Sequence, residues 1–453
     1  MQATKHFASK GVSMLFSHID ILDENLDYLK DQFVGVEGAF ITYVGAEEPA
    51  DAARFGQVYD GRGKLLMSAF YNTHAHAAMT LLRGYAENQP LQQWLNETVW
   101  PFEAKMDAEK GHHYWGTMLA QAEMLRYGVV SYSDMYFATT DRCDATLEAR
   151  MKANHCDSST MLTDADYDTL PVAEMNKRLF ADYHGTADGR IRVDMCVHGE
   201  YTTAEGMIER CVAEAKAHNT GLHIHLSETQ AEHEECKGRH NGMTPAVYLD
   251  SLGVFEVPVN AAHCVWLEPE DIALMAQKGA SVSLNPASNM KLASGFAPVQ
   301  AMLDAGVNCA LGTDGMASNN THNLLQSGYL LACTQKGSAL DPTTVTPKEV
   351  LQMLTVNGAR AQGRSDCGVL TEGMRADLVV FNTSTPWMCP TYSMATNLVY
   401  SANGADVVLT MCDGEVLYEN GDYKTIDIEK TKAETLRCVN EILGALSGKA
   451  LSV

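Results

Sequence analysis

The sequence predicts an α/β fold, a (β/α)₈ barrel accompanied by a smaller β-rich domain. From about residue 65, short apolar runs alternate with amphipathic stretches, a pattern typical of βαβ units and of a parallel sheet. Eight such runs follow one another, which is the strand number of a barrel, and a barrel takes about 250 residues. Because the chain has 453 residues, both chain ends are available for the smaller domain.

The eight predicted strands are short and mostly apolar. The third is an exception, since Lys152, Asn154 and His155 make it unusually polar. Helix-like segments lie between the strands, and residues 204–219 show how such a segment separates a polar from an apolar face. In chain order the predicted strands are residues 65–76, 129–137, 150–157, 191–199, 221–229, 257–265, 280–288 and 308–315.

The two chain ends have a different pattern, in which short β-rich runs are separated by turn residues such as Asp413-Gly414. These runs are residues 34–44, 376–381, 407–412 and 415–418. Residues 426–446 are predicted to form a terminal helix. The predicted domains are the barrel, 65–368, and the smaller domain, whose N-terminal part is 1–64 and whose C-terminal part, with the terminal helix, is 369–453.

The composition disfavours several classes of partner. A formal net charge of −24 argues against nucleic acid and anionic membranes, which both bind basic surfaces. The twelve cysteines are scattered and include no CxxC pair, as in a protein whose thiols stay reduced. The N-terminus lacks the apolar core of a signal peptide, and no run of about 18 apolar residues occurs. We therefore expect a soluble, cytoplasmic protein with a small-molecule substrate.

Histidines and an aspartate stand at the ends of four predicted strands. His74 and His76 are two residues apart, so on a strand both side chains point to the same face. His225, His263 and Asp314 lie at the fifth, sixth and eighth strand ends, where (β/α)₈ enzymes carry their chemistry. Imidazole nitrogen and carboxylate oxygen bind zinc, and iron(II) or manganese(II) accept the same set. The pattern favours a metal-dependent hydrolase over hydrogen-bonded core histidines and an aspartate in an ordinary Gly-rich turn.

Four short segments carry a resemblance to a known family. They are residues 70–76 (FYNTHAH), the pair His225 and Glu228, residues 261–264 (AAHC) and residues 311–315 (LGTDG). In this order they resemble the amidohydrolase superfamily, in the branch of methylthioadenosine/S-adenosylhomocysteine deaminases and triazine chlorohydrolases. The resemblance extends over about residues 39–415. It implies a TIM barrel, a small β-sandwich formed from both chain ends, and a metal-dependent hydrolase.

The resemblance implies a site for one divalent metal ion, with zinc as the first candidate. The implied ligands are His74, His76, His225 and Asp314. The fourth strand ends in His198-Gly199-Glu200, without the lysine that a second metal requires. His223 shares a strand face with His225 and is expected to support the site without binding the metal.

The resemblance also implies three catalytic groups. Glu228 transfers a proton from the attacking water to a ring nitrogen of the substrate, a task that suits a buried carboxyl; a helix-capping glutamate is the alternative. His263 orients the water, polarises the tetrahedral intermediate, or binds the metal in some states. Asp314 accepts a proton and carries it to the leaving amine. The implied reaction is hydrolytic deamination with release of ammonia.

Three further residues are expected to contact the substrate. In the family a carboxylate at the place of Glu103 grips the ribose 2′ and 3′ hydroxyls, with a surface role as the alternative. His198 matches a substrate-contacting histidine, although Gly199-Glu200 replaces the family's usual Ala-Pro. Trp94 either stacks on a ring or fills the underside of its loop. The apolar loop surface over residues 94–102 also suggests a homodimer or a higher homo-oligomer.

The predicted substrate is an adenosine-like nucleoside: adenosine, 5′-deoxyadenosine, methylthioadenosine or S-adenosylhomocysteine. The last is in doubt, because the acidic residues 157–168 lack the arginines that the family often presents there. Contacts of Arg150, Lys152 or Glu200 with the substrate are left open. A guanine or pterin deaminase and a triazine-type chlorohydrolase are alternatives. A non-catalytic barrel is disfavoured, since every implied ligand is present.

Overall fold

The apolar runs of the central region form parallel strands. The computed structural model describes residues 13–90 and 93–447, and within them the central strands pair as two five-stranded sheets. Across the first sheet the strands are Asp314–Gly315, Phe70–His76, Val129–Tyr136, Lys152–Asp157 and Ile191–Val193. Across the second they are Met195–Val197, Leu222–Leu226, Val259–His263, Ser281–Leu284 and Asn308–Leu311.

Three of the predicted strands are divided in the structure. The fourth is interrupted at Asp194 and the eighth at Gly312-Thr313, so the two halves of each pair with different neighbours. The first predicted strand is too long. Its opening part, Lys64–Ser68, pairs antiparallel with Leu378–Asn382 in another sheet, and the remainder, Phe70–His76, joins the central strands.

The polar residues of the third strand, Lys152–Asp157, are buried and paired. Lys152 Nζ contacts the carboxylates of Asp377 and Asp413, the latter at 2.7 Å. Burial acts to lower the pKa of Lys152, but these two carboxylates hold this pKa above its ordinary value. The ion pair links the third strand to the strands of the C-terminal region, which explains why so polar a sequence forms a buried strand.

Within residues 13–447, strands from both chain ends form one nine-stranded sheet, which contains every β-rich run predicted there. Gln57–Asp60 pairs beside Met14–Leu22, and side chains from both ends, including Phe16, Val36 and Leu409, share one buried core. Across the sheet the other strands are Asp422–Tyr423, Glu415–Glu419, Val407–Cys412, Leu378–Asn382, Lys64–Ser68, Met14–Leu22, Tyr28–Glu37 and Phe40–Gly45.

Helices connect the central strands, and several begin at side-chain caps. In one capping box Thr229 accepts from the backbone N–H of Glu232, and the Glu232 carboxylate accepts from that of Thr229. None of the described helices combines the length and apolar character needed to cross a membrane. The α-helices are Trp100–Glu103, His112–Arg126, Thr139–Ala149, Pro171–Asp182, Thr186–Gly189, Glu205–His218, Gln230–Arg239, Pro245–Ser251, Pro269–Lys278, Pro286–Lys291, Val299–Asp304, Leu324–Ala339, Pro347–Leu354, Val356–Ala361, Met394–Tyr400 and Ile428–Ser447. The 3₁₀ helices are Ala52–Arg54, Ala77–Leu82, Tyr167–Thr169, Val254–Glu256, Pro386–Met388 and Gly404–Asp406, and Trp94–Val99 is a π-helix.

The terminal helix, Ile428–Ser447, covers the segment that follows the first central strand. Its buried residues include Cys438 and Ile442, which pack in one apolar cluster with Trp94 and Phe102. The helix therefore forms part of the support beneath the loop that carries predicted substrate-binding residues.

Candidate active site

The predicted metal ligands meet at the carboxyl ends of the central strands. The imidazole rings of His74 and His76 lie 4.8 Å apart, centroid to centroid. The ring of His225 lies 5.0 Å from that of His74 and 5.5 Å from that of His76. Asp314 Oδ1 lies 3.4 Å from His74 Nε2 and 3.1 Å from His76 Nε2. The fold thus brings all four side chains together.

Hydrogen bonds to carbonyl groups fix the orientation of two of these rings. His76 Nδ1 donates to the carbonyl of Met135, and His225 Nδ1 donates to the carbonyl of His198 at 2.7 Å. Because a carbonyl oxygen only accepts, each ring bears a proton on Nδ1, and Nε2 is the atom that each ring presents to the site.

His74 is oriented by a neighbouring histidine. Asn260 Nδ2 donates to His223 Nε2 at 3.3 Å, so His223 Nε2 is an acceptor. His74 Nδ1 lies 3.0 Å from His223 Nε2 and therefore donates to the same atom. His74 Nε2 is then a lone pair, which is buried without a hydrogen-bond partner among the described residues. Burial lowers the pKa of His74 to about 4, so this lone pair is available at neutral pH. These contacts agree with the expectation that His223 supports the site.

This donor set fits one divalent cation. The candidate ligand atoms of His74, His225 and His263 lie within 4.8 Å of one another, as do those of His74, His76 and Asp314. The Nε2 atoms of His74 and His76 both face Asp314 Oδ1, and a proton or a metal cation between a ring nitrogen and the carboxylate oxygen makes such a contact attractive. Imidazole nitrogen together with carboxylate oxygen is the chemistry that zinc binds.

Asp314 is held in place from several sides. Its Oδ2 accepts from Ser288 Oγ at 2.5 Å and from Ser318 Oγ at 3.1 Å, and its Oδ1 accepts from the backbone N–H of Gly315 at 2.8 Å. Burial acts to raise the pKa of Asp314, but the contacts with the two histidines of the HxH motif hold this pKa well below its ordinary value. The carboxylate is therefore ionised and ready to bind a cation or accept a proton.

Glu228 and His263 lie together beside the ligands. Their closest side-chain atoms, His263 Nε2 and Glu228 Oε2, are 3.8 Å apart. Burial raises the pKa of Glu228, as a group that must hold and release a proton requires. His263 Nδ1 donates to Asn289 Oδ1 at 2.8 Å, which leaves Nε2 as an acceptor directed towards the site. The helix-capping function belongs to Thr229 and Glu232, not to Glu228.

A cleft joins these groups to the three predicted substrate-binding residues. Tyr136 Oη donates to Glu103 Oε1 at 2.6 Å, and burial raises the pKa of Glu103 to about 7. Burial lowers the pKa of His198 to about 4. Trp94 lines the cleft with part of its ring and is otherwise packed in the loop, where its Nε1 donates to the carbonyl of Ala86 at 3.1 Å. The lining residues are His76, Met79, Trp94, Leu95, Val99, Trp100, Glu103, Tyr136, Phe137, Ser158, His198, Tyr201, His225, Glu228, His263, Leu292 and Asp314.

The charged residues whose roles were open lie outside this lining. Lys152 is paired at the other end of the third strand, and Arg150 beside it contacts the carboxylate of Glu415. Glu200 pairs with Arg239. No lysine or arginine of the described residues lines the cleft.

Comparison with known proteins identifies the family. Residues 65–417 match the amidohydrolase family model. The chain belongs to the amidohydrolase family. One relative of this amidohydrolase, a 5-methylthioadenosine/S-adenosylhomocysteine deaminase from Desulforamulus reducens, is 40% identical over 420 residues, 91% of this chain and 94% of the relative. A 5′-deoxyadenosine deaminase from Methanothermobacter thermautotrophicus is 41% identical over 379 residues, 84% of this chain and 87% of the relative.

A solved structure resembles this amidohydrolase over nearly its whole length. It is the crystal structure of an adenosine deaminase from Xanthomonas campestris with bound zinc, and it superposes with a TM-score of 0.88 at 28% identity. The match covers 95% of this chain and 99% of the other.

Sequence reasoning did not assign the hydrogen bonds that hold the site of this amidohydrolase in shape, although it placed residues 288–295 at the pocket. Asn260 binds His223, Ser288 binds Asp314, Asn289 binds His263, and Tyr136 binds Glu103. The Glu232 carboxylate accepts from the backbone N–H of Glu228 at 2.8 Å. A signal exists for some of them, since a polar residue within or just after an apolar strand needs a buried partner.

Proposed function

We propose that this amidohydrolase is a metal-dependent deaminase that hydrolyses the amino group of an adenosine-like nucleoside and releases ammonia. One juxtaposition carries the proposal: Glu228, a buried carboxyl of raised pKa, shares a cleft with Glu103, a second carboxyl suited to ribose hydroxyls. The names of the two relatives, a methylthioadenosine/S-adenosylhomocysteine deaminase and a 5′-deoxyadenosine deaminase, support the same substrate class.

His74, His76, His225 and Asp314 are the proposed ligands of one divalent ion, with zinc as the first candidate and iron(II) or manganese(II) as alternatives. The buried lone pair of His74 Nε2 and the bound zinc of the adenosine deaminase structure support this assignment. When bound, such an ion supplies Lewis acidity that allows water to ionise near neutral pH.

The side chains of the site provide the proton transfers of the proposed reaction. Glu228, whose raised pKa lets it hold a proton, takes one from the attacking water and donates it to the ring nitrogen next to the attacked carbon. Asp314, ionised and held by two serines, accepts the proton that the newly added hydroxyl loses and delivers it to the leaving amine. His263 bears its proton on Nδ1, so its Nε2 accepts a hydrogen bond from the water and orients it, or binds the ion.

Glu103 and Tyr136 form the proposed sugar site. A carboxylate that accepts from two neighbouring hydroxyls selects a ribose over a free base, because its buried charge is left unpaired when the sugar is missing. The absence of lysine and arginine from the described lining disfavours the charged amino-acid tail of S-adenosylhomocysteine. Methylthioadenosine, 5′-deoxyadenosine and adenosine are therefore the preferred substrates, with His198 and Trp94 as further contacts.

Ammonia release by the zinc-loaded protein tests the proposal on a panel of adenosine, 5′-deoxyadenosine, methylthioadenosine, S-adenosylhomocysteine, adenine, guanine, a pterin and an aminotriazine. We expect ammonia from the nucleosides with small 5′ substituents and none from adenine. Ammonia from a free base alone would keep the reaction and refute the sugar site. No ammonia from any nucleoside or base, with metal bound, would refute the deaminase proposal.

We also infer that residues 65–368 form a closed barrel and that residues 1–64 and 369–453 contribute a β-sandwich. The halves of the fourth and eighth predicted strands lie in different central sheets, which supports closure at both seams. A core shared by strands from both chain ends supports the sandwich. The part of this assignment that falls on residues 1–12 and 448–453 lies outside the described residues.

A cytoplasmic location and a homo-oligomeric state complete the proposal. All twelve cysteines lie in the described part of the chain and are free thiols, as in a reducing compartment. Tyr85 and Trp100, on the loop after the first central strand, are 45% and 37% exposed and offer an apolar surface to a second copy.

A further inference from the structure

Glu200, Cys236 and His240 form a cluster of potential ligands apart from the catalytic side chains. One candidate ligand atom from each lies within 4.8 Å of the others. Glu200 follows the strand Met195–Val197. Cys236 lies in the helix Gln230–Arg239, and His240 follows the helix directly. The spacing of four residues places the thiol and the imidazole on one side of the helix end.

The carboxylate of Glu200 is buried with one oxygen weakly satisfied. Its side chain is 1% exposed, and its Oε1 contacts Arg239 Nη2. The other oxygen, Oε2, accepts no well-aligned hydrogen bond in the described part of the chain, and the carboxylate otherwise meets only the Cys236 thiol, a weak donor. A buried carboxylate oxygen without a strong partner is costly, so its orientation towards the thiol and the imidazole calls for a further bound group.

The other two side chains are positioned to receive the same group. The ring of His240 stacks on that of Tyr248, with centroids 3.6 Å apart, and this contact holds its plane. His240 Nε2 lies 3.8 Å from Glu200 Oε2. Cys236 is fully buried, whereas the His240 side chain is 23% exposed and leaves a way in from solvent.

We propose that Glu200, Cys236 and His240 bind a second divalent cation of zinc type. A thiolate, an imidazole and a carboxylate form a mixed sulfur, nitrogen and oxygen set that zinc accepts and that magnesium or calcium disfavours. Three protein ligands leave a fourth position for water. Cys236 binds as a thiolate, so its proton is released to solvent on binding.

The proposed ion joins two segments that flank the catalytic cleft. Tyr201, next to Glu200, lines the cleft. The helix that ends at the site carries Glu232 in its first turn, and the Glu232 carboxylate accepts from the backbone N–H of Glu228. Ion binding therefore fixes the loop after the fourth strand to the helix that holds the proposed proton donor. This inference does not depend on the reaction proposed above.

Titration of the metal-free full-length protein with Co²⁺ tests the site, because cobalt bound to a thiolate shows a ligand-to-metal charge-transfer band in the near ultraviolet. The proposed catalytic ligands include no cysteine, so the band reports the second site. We expect two Co²⁺ equivalents and the band for the unaltered protein. Cys236→Ser should lose the band and one equivalent, while Cys333→Ser, at an exposed cysteine, should keep both.

His240→Ala removes a partly exposed ligand and serves as the second variant should Cys236→Ser fold poorly by circular dichroism. It should bind one Co²⁺ less than the unaltered protein. A single equivalent without the band in the unaltered protein would overturn the proposal, whatever its deaminase activity. A band that persists in Cys236→Ser would overturn it too, since the thiolate would then come from elsewhere.

Discussion

Ser227, His263 and Asp314 have positive φ angles of 46°, 73° and 61°. For residues with a side chain this left-handed conformation is unfavourable, by about 1 kcal/mol or more, and it persists where the surroundings fix it. All three lie where a central strand gives way to the site. The turned backbone aims His263 and Asp314 across the strand ends, where they meet the HxH motif. Two of the residues that assemble the chemistry, His263 and Asp314, therefore carry local backbone strain.

A close approach explains one glycine of the site. A Cβ atom at Gly312 would lie 2.8 Å from the Cβ of His74 and 2.4 Å from Asn285 Oδ1. Any side chain there would displace a proposed metal ligand, so the strand that leads to Asp314 needs glycine at this position.

Replacing Glu228 by glutamine separates proton transfer from metal binding. Glu228→Gln keeps the size of the side chain but cannot hold and release the proton, so kcat should fall by about 10²- to 10⁴-fold. Metal content, measured by atomic emission, should be unchanged because no proposed ligand is altered. Glu97→Gln, at an exposed glutamate near the cleft loop, is the control and should leave kcat intact. A Glu228→Gln enzyme of normal kcat would remove Glu228 from the mechanism.

Glu103 gives nucleoside binding a pH dependence with a defined sign. Its pKa is about 7 in the free protein, and hydrogen bonds from ribose hydroxyls favour the ionised form. Nucleoside binding to the metal-free protein, which cannot turn over, should therefore weaken as the pH falls below about 7. Calorimetry would measure this. In Glu103→Gln the dependence should disappear, and nucleoside should bind more weakly than in the unaltered protein at pH 8. An unchanged dependence in the variant would show that another group causes it.

At the scale of elements, the third central strand shows how a polar sequence can form a buried strand. Lys152 lies against Asp377 and Asp413, and Asp413 also contacts Arg190 and Arg375. The arrangement balances charge inside the protein and ties the central sheet to the sheet formed by the chain ends. Buried charges of this kind stabilise only as a complete set.

Lys152→Met should therefore destabilise the protein although methionine fills a similar volume. It leaves the carboxylate of Asp377 buried without its cation, and removal of one partner of a buried ion pair costs about 3 to 5 kcal/mol. Urea unfolding followed by circular dichroism measures the change in the free energy of unfolding. Lys177→Met, at a lysine whose side chain is 59% exposed, is the control and should change it little. Equal stability of the two variants would mean that the buried pair is not a link between the sheets.

For the whole molecule, the sequence predicts features that are encoded locally. The apolar runs of the central strands and the two-residue spacing of His74 and His76 are visible without knowledge of distant residues. The division of residues 64–76 between two sheets was not predicted, because no turn signal breaks the run and the partner strand Leu378–Asn382 lies more than 300 positions later. His223 and Asn260 gave no local indication of the atoms they bind, since those lie on other strands.

Metal removal tests how far the site contributes to the stability of the whole fold. An ion that binds the folded state alone stabilises it by RT ln(1 + [L]/Kd), about 4 kcal/mol when the free ion is at 1,000 times Kd. Adding zinc to the metal-free Cys236→Ser protein, in which the second proposed site is removed, should therefore raise Tm by several degrees. Adding His74→Ala to the Cys236→Ser protein should abolish most of this rise in Tm. Adding His218→Ala instead, at an exposed histidine, should leave the rise intact. Differential scanning calorimetry measures Tm for each variant. If zinc raises Tm by the same amount in the protein that also carries His74→Ala, the stabilising ion binds outside the four proposed ligands.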